Sequence, residues 1–402
     1  MDLADFERLR TPAGQTVLAA AGALQPSDET FLTHLTRLAK QTDAALAKAA
    51  LETVLLRARA RVKFTRADQM YFLRAALEQA SGERIAAYRA GRLAPYARVA
   101  DLGCGIGGDA IGLSAVTAVT LVEQDSLRLA LAQANLAAYG RAAAAAVNAD
   151  LTAALPPAAD ALWFDPGRRT EGRRRFSVRE YAPPLAIIHQ WLPRTPALGV
   201  KISPGVDLAE LDASLAAPAG RRPAAWELEF ISVHGDLKEA VLWFGPLRTA
   251  PRRATLLPGP HTLTAEAREP APELAAPQQY LYEPDPAILR AGLVTTLAAQ
   301  LGARQIDPEI AYLTADTLTP TPFARAFALD DALPFQLKRL RAYLRARQVG
   351  TVTVKKRGSP LEPETLIRQL KLSGPESRLL FLTHVAGAPY VLIGRAVSGA
   401  AA

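Results

Sequence analysis

From Ala97 to Gly245 the chain alternates between two hydrophobic rhythms, and this alternation limits its possible folds more than any other feature. Short apolar runs (RVADL, VTLVE, ALWFD, ALGVKIS) take turns with helical stretches such as DAIGLSAV, LRLALAQANLAAYG and PPLAIIHQWL. A strand followed by a helix, repeated, returns each new strand parallel to the last, with the helices covering the sheet. The series then closes differently. WELEFISV and KEAVLWFG are joined only by HGD, which is short enough for an antiparallel hairpin. The expected fold class is α/β: a parallel sheet over residues 92–247 that ends in an antiparallel hairpin.

The flanks have other textures. Residues 1–91 are rich in Ala, Leu, Glu and Arg, with apolar residues recurring at three and four, and are expected to be helical. Tyr71 and Phe72 fit core packing there. Residues 248–280 are dense in Pro and Ala and are expected to form a linker or extended excursion. Two small α+β regions should follow, at 281–332 and 333–398. In the second, PFQLKRLRAYLRARQVG reads as a basic helix. GTVTVKKRG, ETLIRQLKLSG, SRLLFLTHVAG and APYVLIGR read as strand, helix, strand, strand.

Charge and cysteine content narrow the function. The net charge of the 402 residues is +8. Between Arg325 and Lys371 eleven Lys or Arg stand against four Asp or Glu, so most of the excess is local. A concentrated positive surface suits a polyanion, and RNA is the expected partner. The single cysteine, Cys104, excludes an intrachain disulfide and fits a reducing compartment. No Cys/His cluster has metal-ligand spacing, so no metal is expected. The N-terminal MDLADFERLR is too polar for a signal peptide, and no apolar run reaches membrane-spanning length. A cytoplasmic protein is expected.

The chemistry centres on VADLGCGIGGDA. A strand should end at Asp101 and a helix begin near Gly108, with Gly103, Gly105 and Gly107 between them. Glycines in such a turn let a ligand approach the backbone. This signal alone is ambiguous, because Gly103, Gly105 and Gly108 also satisfy the dinucleotide fingerprint G-x-G-x-x-G. Glu123, twenty residues after Gly103, suits a ribose diol in either case. Three further features favour S-adenosylmethionine. Asp101 gives D-x-G-x-G-x-G, with an acid placed for the methionine end. Asp150 ends the third strand, where it can accept from the adenine amino group, beside Leu151. Asp165-Pro166 ends the fourth strand, beside the expected methyl sulfonium. Together with the closing hairpin, this order of acids is the layout of the class I, Rossmann-like methyltransferase sheet. Each residue also has a plainer role: helix-end charge for Asp101, turn cap for Asp150, turn dipeptide for Asp165-Pro166, packing for Cys104.

These motifs resemble a bacterial family of class I methyltransferase-like proteins with a THUMP-like C-terminal domain. RARVKF, LEQASGERIAAYRAGRL, VADLGCGIGGDA, WFDPGRR, VKISPG, the VHGD turn, YLYEPDPAILRAGL and VTVKKRG through VLIGR carry the resemblance. It implies that 281–332 is a small ferredoxin-like domain and that 333–398 is THUMP-like. THUMP domains bind RNA, usually tRNA, so tRNA or rRNA is the implied partner. One departure stands out. Base-methylating enzymes often carry Asn/Asp-Pro-Pro and an aromatic residue, whereas this chain has Asp165-Pro166-Gly167-Arg168-Arg169. Two arginines near the methyl donor suit an anionic group or stacking on a base.

The expected function is therefore S-adenosylmethionine-dependent methyl transfer to RNA. Asp101, Gly103, Gly105, Glu123 and Asp150 would bind the cofactor, Asp165 and Pro166 would carry the chemistry, and Arg168 and Arg169 would hold substrate. The alternatives are a non-catalytic RNA-binding protein on the same fold, or an NAD-dependent oxidoreductase.

Overall fold

The computed structural model describes residues 1–168, 177–216, 224–265 and 273–397, with Arg168 described by its backbone only. The chain divides into two compact units. The first comprises Met1–Trp226 with Val241–Thr249, and the second Glu227–Ala240 with Ala250–Ala402. The strand Asp236–Phe244 crosses this division.

The first unit opens with helices, as its periodicity predicts. Leu3–Arg10, Pro12–Ala23, Phe31–Leu38 and Ala44–Ala60 are followed by Arg74–Gln79 and Glu83–Leu93. The starts are fixed by capping. Asp2 accepts from Asp5 N at 2.8 Å and Asp43 accepts from Leu46 N at 3.1 Å, each satisfying an otherwise orphaned donor. Tyr71 and Phe72 are buried, as expected of core residues.

The parallel strands are β1 (Arg98–Leu102), β2 (Ala118–Glu123), β3 (Ala145–Asn148), β4 (Ala161–Phe164) and β5 (Leu198–Ile202). Their order is β5-β4-β1-β2-β3, and each neighbouring pair is parallel. The central strands are buried on both faces, which is why β1, β2 and β4 read as near-continuous apolar runs. β1 sits in the middle, and the chain reverses its winding on either side of it. In open α/β sheets, ligand clefts form at the carboxyl ends of strands around such a reversal.

Trp226–Val233 and Asp236–Phe244 form the expected hairpin. His234 and Gly235 at its turn have φ of 51° and 81°, the double positive φ that matches the twist of a two-residue hairpin.

The stretch after the hairpin departs from expectation. Arg252–Leu257 pairs in parallel with Trp226–Val233 and antiparallel with His261–Ala265, so much of the expected linker is sheet. The turn at Pro258-Gly259 belongs to this hairpin. The high Pro and Ala content hid two short strands on which Ala254, Leu256, Leu263 and Ala265 are buried.

The rest of the second unit is built on a seven-stranded sheet. Its long strand Ala324–Pro334 pairs with Tyr280–Pro284 on one side and with Ala388–Ala396 on the other. The domain boundary expected between 332 and 333 thus falls inside a strand shared by both regions. The helices Leu337–Ala346 and Pro363–Leu370 bury Leu340, Leu344, Leu366 and Leu370 in one cluster with Leu380 and Ile393. Among the described residues, no helix is long and apolar enough to cross a membrane, and no group of His, Cys, Asp or Glu is arranged to hold a metal ion.

Candidate functional site

The carboxyl ends of β1, β2, β4 and β5 open onto a cleft enclosing about 1040 Å³ of space continuous with solvent. Most residues singled out in the sequence lie on its wall: Gly103, Gly105, Glu123, Asp150, Asp165 and Pro166, with Leu151 beside them. The glycine turn makes this possible. At Gly103 φ is +73°, and a Cβ there would lie 2.7 Å from the Asp165 carbonyl oxygen. At Gly105 φ is +54° and a Cβ would meet nothing within 4 Å, so the absence of a side chain keeps the cleft open.

Glu123 is buried at the edge of the turn. One carboxylate oxygen accepts from Gly105 N and the other from Asp125 N, both at 3.0 Å. These bonds fix the plane of the carboxylate while each oxygen keeps further acceptor capacity, as a diol-binding acid requires. Asp150 does two things at once. Its Oδ1 accepts from Thr152 N and Thr152 Oγ1, both at 2.8 Å, which makes it the turn cap of the plainer reading, and it lines the cleft as well. The Thr152 bonds hold its pKa below the usual carboxylate value.

Asp101 lies beneath the turn rather than on the wall. It is 0% exposed, and neither carboxylate oxygen has a hydrogen-bond partner among the described residues. Burial raises its pKa well above the ordinary value, and the nearby charges of Asp109 and Asp165 push in the same direction. The neighbouring cation, Arg89, is committed elsewhere. It forms a buried ion pair with Asp109 and lies 4.6 Å from the centre of the Trp163 ring.

Asp165, at the end of β4, forms an ion pair with Lys201 at the end of β5, with Nζ 2.7 Å from Oδ2. Lys201 also donates to the Gln79 carbonyl at 3.1 Å and is nearly buried. Lys201 lies within VKISPG, at the tip of an apolar run. The strand-tip logic that found the acids would have found it as well. Asn135 carried no signal at all. It donates to the Tyr71 and Ile106 carbonyls, both at 2.9 Å, and accepts from Tyr71 N at 2.7 Å, tying the N-terminal segment to the glycine turn.

After Pro166 the backbone of Gly167 and Arg168 pairs with Ala182 and Tyr181, and Tyr181 enters the cleft wall. The side chain of Arg168 and the whole of Arg169 lie outside the described residues, as do Arg173, Arg174 and Arg175.

In the second unit the expected basic surface divides in two. Lys338 and Arg339 are exposed and have no partner among the described residues. Arg341 and Arg345 donate to the Gln369 and Lys371 carbonyls at 2.6 and 2.9 Å, closing the end of the helix Pro363–Leu370. Arg347 stacks on Tyr343, 3.6 Å from the ring centre. The turn Lys355–Arg357, expected to extend the patch, is largely consumed internally. Lys355 pairs with Glu283, Lys356 pairs with Glu362 at 2.6 Å, and Arg357 lies 4.9 Å from the centre of the Tyr312 ring. Acids distant in sequence from the turn, or on its far side, neutralise its two lysines.

Two family comparisons match parts of the chain. Residues 324–396 match the THUMP domain-like family, and residues 2–60 match a domain of unknown function, DUF8688. The chain is 35% identical over 350 residues to an uncharacterized S-adenosylmethionine-dependent methyltransferase of Mycobacterium tuberculosis, found in two strains. The match covers 83% of this chain and 92% of the relative. The crystal structure of a candidate methyltransferase from Porphyromonas gingivalis W83 has the same fold. Its TM-score is 0.73 at 23% identity, covering 93% of this chain and all of that one.

Proposed function

The chain belongs to the S-adenosylmethionine-dependent methyltransferases, and on that premise we propose that its acceptor is RNA, either tRNA or rRNA. The observation that carries the reading is the exposed pair Lys338 and Arg339, without a partner among the described residues, on a helix inside the THUMP domain-like match. Exposed cations on one helix face suit a phosphate backbone, whereas internally paired ones do not.

The cofactor site fits its ligand on three counts. S-adenosylmethionine carries a sulfonium and an ammonium against one carboxylate, and the cleft is rich in acids. Asp101, beneath the turn, is a buried carboxyl with no hydrogen-bond partner among the described residues, and its charge suits the cationic methionine end. Glu123 presents a carboxylate already locked on its backbone. Gly103 and Gly105 leave the room that side chains would take. In this reading Asp101, Gly103, Gly105, Glu123 and Asp150 hold the cofactor.

When bound, the cofactor supplies an electrophilic methyl group that an acceptor atom can displace in line. The chain's contribution is positioning and exclusion of water rather than covalent chemistry. Asp165, steadied by Lys201, accepts a hydrogen bond from the acceptor group and orients its lone pair, with Pro166 shaping the wall beside it. Arg168 and Arg169 hold the anionic substrate next to the donor.

Methyl-tritium transfer from S-adenosylmethionine into total tRNA and total rRNA tests the proposal. Ribonuclease-sensitive incorporation that falls steeply with added salt is expected. Incorporation into protein or small molecules alone would overturn RNA as the acceptor and leave the family assignment standing.

A further inference from the structure

The cleft has a wall that none of the glycine-turn or strand-tip residues supplies. Gln79, Ala80 and Ser81 line it, just after the helix Arg74–Gln79. Two lysines hold this segment by its carbonyls. Lys63 Nζ donates to Leu77, Glu78 and Ala80 at 2.7, 3.1 and 2.9 Å, and Lys201 Nζ donates to Gln79. The wall also presses on the glycine turn. A Cβ on Gly108 would lie 3.3 Å from Ala80 Cβ and 3.4 Å from the Ser81 carbonyl oxygen. Ser81 therefore sits against the glycine turn, directly after a segment held by two lysines.

Its hydroxyl, however, is unspent. Ser81 is 3% exposed and its Oγ has no hydrogen-bond partner among the described residues. Burying a hydroxyl without a partner is costly, so a position held this firmly over a ligand cleft implies that the ligand completes it. The methionine end of the cofactor has two polar groups. Its ammonium suits the acids, of which Asp101 and Asp109 stand closest to the turn. Its carboxylate needs a donor, and acids cannot supply one. Of the cations lining the cleft, Lys201 is shared between Asp165 and Gln79, and Arg128 lies 3.8 Å from Asp125; Arg89, behind the wall, is taken by Asp109. Ser81 offers the hydroxyl donor on this wall.

We infer that Ser81 Oγ donates to the methionyl carboxylate of the cofactor, making Ser81 a cofactor-binding residue supplied by the N-terminal helical segment. This rests on the cofactor family and not on RNA as the acceptor. The side chain would also give the enzyme a means of telling the amino-acid cofactor from adenosyl ligands that lack the carboxylate.

Calorimetry on the full chain with three ligands tests it. S-adenosylhomocysteine carries the carboxylate and the ammonium. Decarboxylated S-adenosylhomocysteine keeps the ammonium only, and 5′-methylthioadenosine has neither. Ser81→Ala should weaken S-adenosylhomocysteine by about 10- to 100-fold, the loss expected for one hydrogen bond to a charged group. The other two ligands should change by less than about twofold, the scatter expected for a bond they never make. Ser81→Thr, which keeps the hydroxyl, should retain most of the wild-type affinity. An unchanged affinity for S-adenosylhomocysteine in Ser81→Ala would remove the hydroxyl from the site. Equal losses for all three ligands would make Ser81 a wall-shaping residue, and equal losses for the two amine-bearing ligands would place it at the ammonium. Each of these results overturns the assignment.

Discussion

The cleft at the glycine turn and the helix Leu337–Ala346 are both crowded with charge, but they use it in opposite ways. Asp109 and Glu123 are buried on the cleft wall and Asp101 beneath it, and among the described residues the hydrogen bonds of Glu123 go to backbone. On the helix, Lys338 and Arg339 stand in solvent with their charges uncommitted. Buried charges act at short range in a low dielectric and are hardly screened by salt, whereas exposed ones act weakly, additively and in a salt-dependent way. One region is built to recognise a single small ligand by geometry. The other suits a long polyanion, whose register matters less than its charge density.

The sharpest test of the contrast is Glu123→Ala. It removes two charge-assisted hydrogen bonds that shape the turn, together with the proposed contact to the ribose. Affinity for S-adenosylhomocysteine should fall by one to two orders of magnitude, in line with ~1.5–3 kcal/mol for bonds to a charged group. Calorimetry at low and at moderate salt should return nearly the same loss. If the loss shrinks as salt is added, the carboxylate acts as a surface charge and the distinction between the two regions fails.

The second test belongs to the helix. Replacing Lys338 and Arg339 together with alanine should weaken RNA binding by about tenfold near physiological salt. It should also reduce the slope of log affinity against log salt by about 1.4–1.8, since each lost phosphate contact removes ~0.7–0.9. The melting temperature should stay put, because neither side chain has a partner to lose. Lys355→Met provides the control. Lys355 is paired with Glu283 and lies 5.1 Å from the centre of the Phe327 ring, so its loss should lower stability and leave the salt slope unchanged. A reduced slope in Lys355→Met would show that the internal pair opens to bind RNA.

The two regions were also unequally legible in the sequence. The α/β sheet and its acids could be read because a strand tip is a short-range feature: Asp101, Glu123 and Asp165 each end or follow an apolar run by one residue. Lys201 follows the same rule on β5, as a cation rather than an acid. Ser81 and Asn135 could not be read this way. Their roles depend on segments brought together across 27 and 64 residues, Ser81 with Gly108 and Asn135 with Tyr71. The basic turn Lys355–Arg357 was over-read for the converse reason, since Glu283, which neutralises Lys355, lies 72 residues away. Around 252–265 the surrounding Pro and Ala masked two short strands, the first of which is buried continuously from Ala254 to Leu257 and so shows no period of two.

A third prediction concerns pH. The carboxyl of Asp101 titrates higher in the folded protein than in the unfolded chain, because burial disfavours its charge. Above the unfolded value the native state still holds a proton that the unfolded state has released. Stability at this site is therefore present at low pH and is lost progressively as pH rises toward the folded value. Asp101→Asn removes the titration. Its melting temperature should fall less than that of the wild type as pH is raised from acid to neutral. A cation bound nearby favours the charged form, so binding of S-adenosylmethionine should release protons in the wild type and fewer in Asp101→Asn. Calorimetry in buffers of different ionisation enthalpy counts them. Equal proton release by the two proteins would assign the proton to another group.

The smallest expected effect is at Asp150, where the cleft comes closest to behaving like the exposed helix. Asp150 is exposed, and its Oδ1 is occupied by the Thr152 turn. Solvent competes for any bond it makes to an adenine amino group, so only the modest net value of an ordinary hydrogen bond remains. Asp150→Ala should weaken S-adenosylhomocysteine by no more than about fivefold, the scale of one ordinary hydrogen bond at a solvated site. Asp150→Asn keeps the turn's acceptor oxygen and should separate the two roles. Recovery of wild-type affinity in Asp150→Asn would mean that shaping the turn is what matters, whereas equal weakening in both variants would mean that the negative charge itself faces the ligand. A loss as large as that of Glu123→Ala would show that exposure is a poor guide to energetic weight in this cleft, and the contrast between its buried and solvated acids would have to be redrawn.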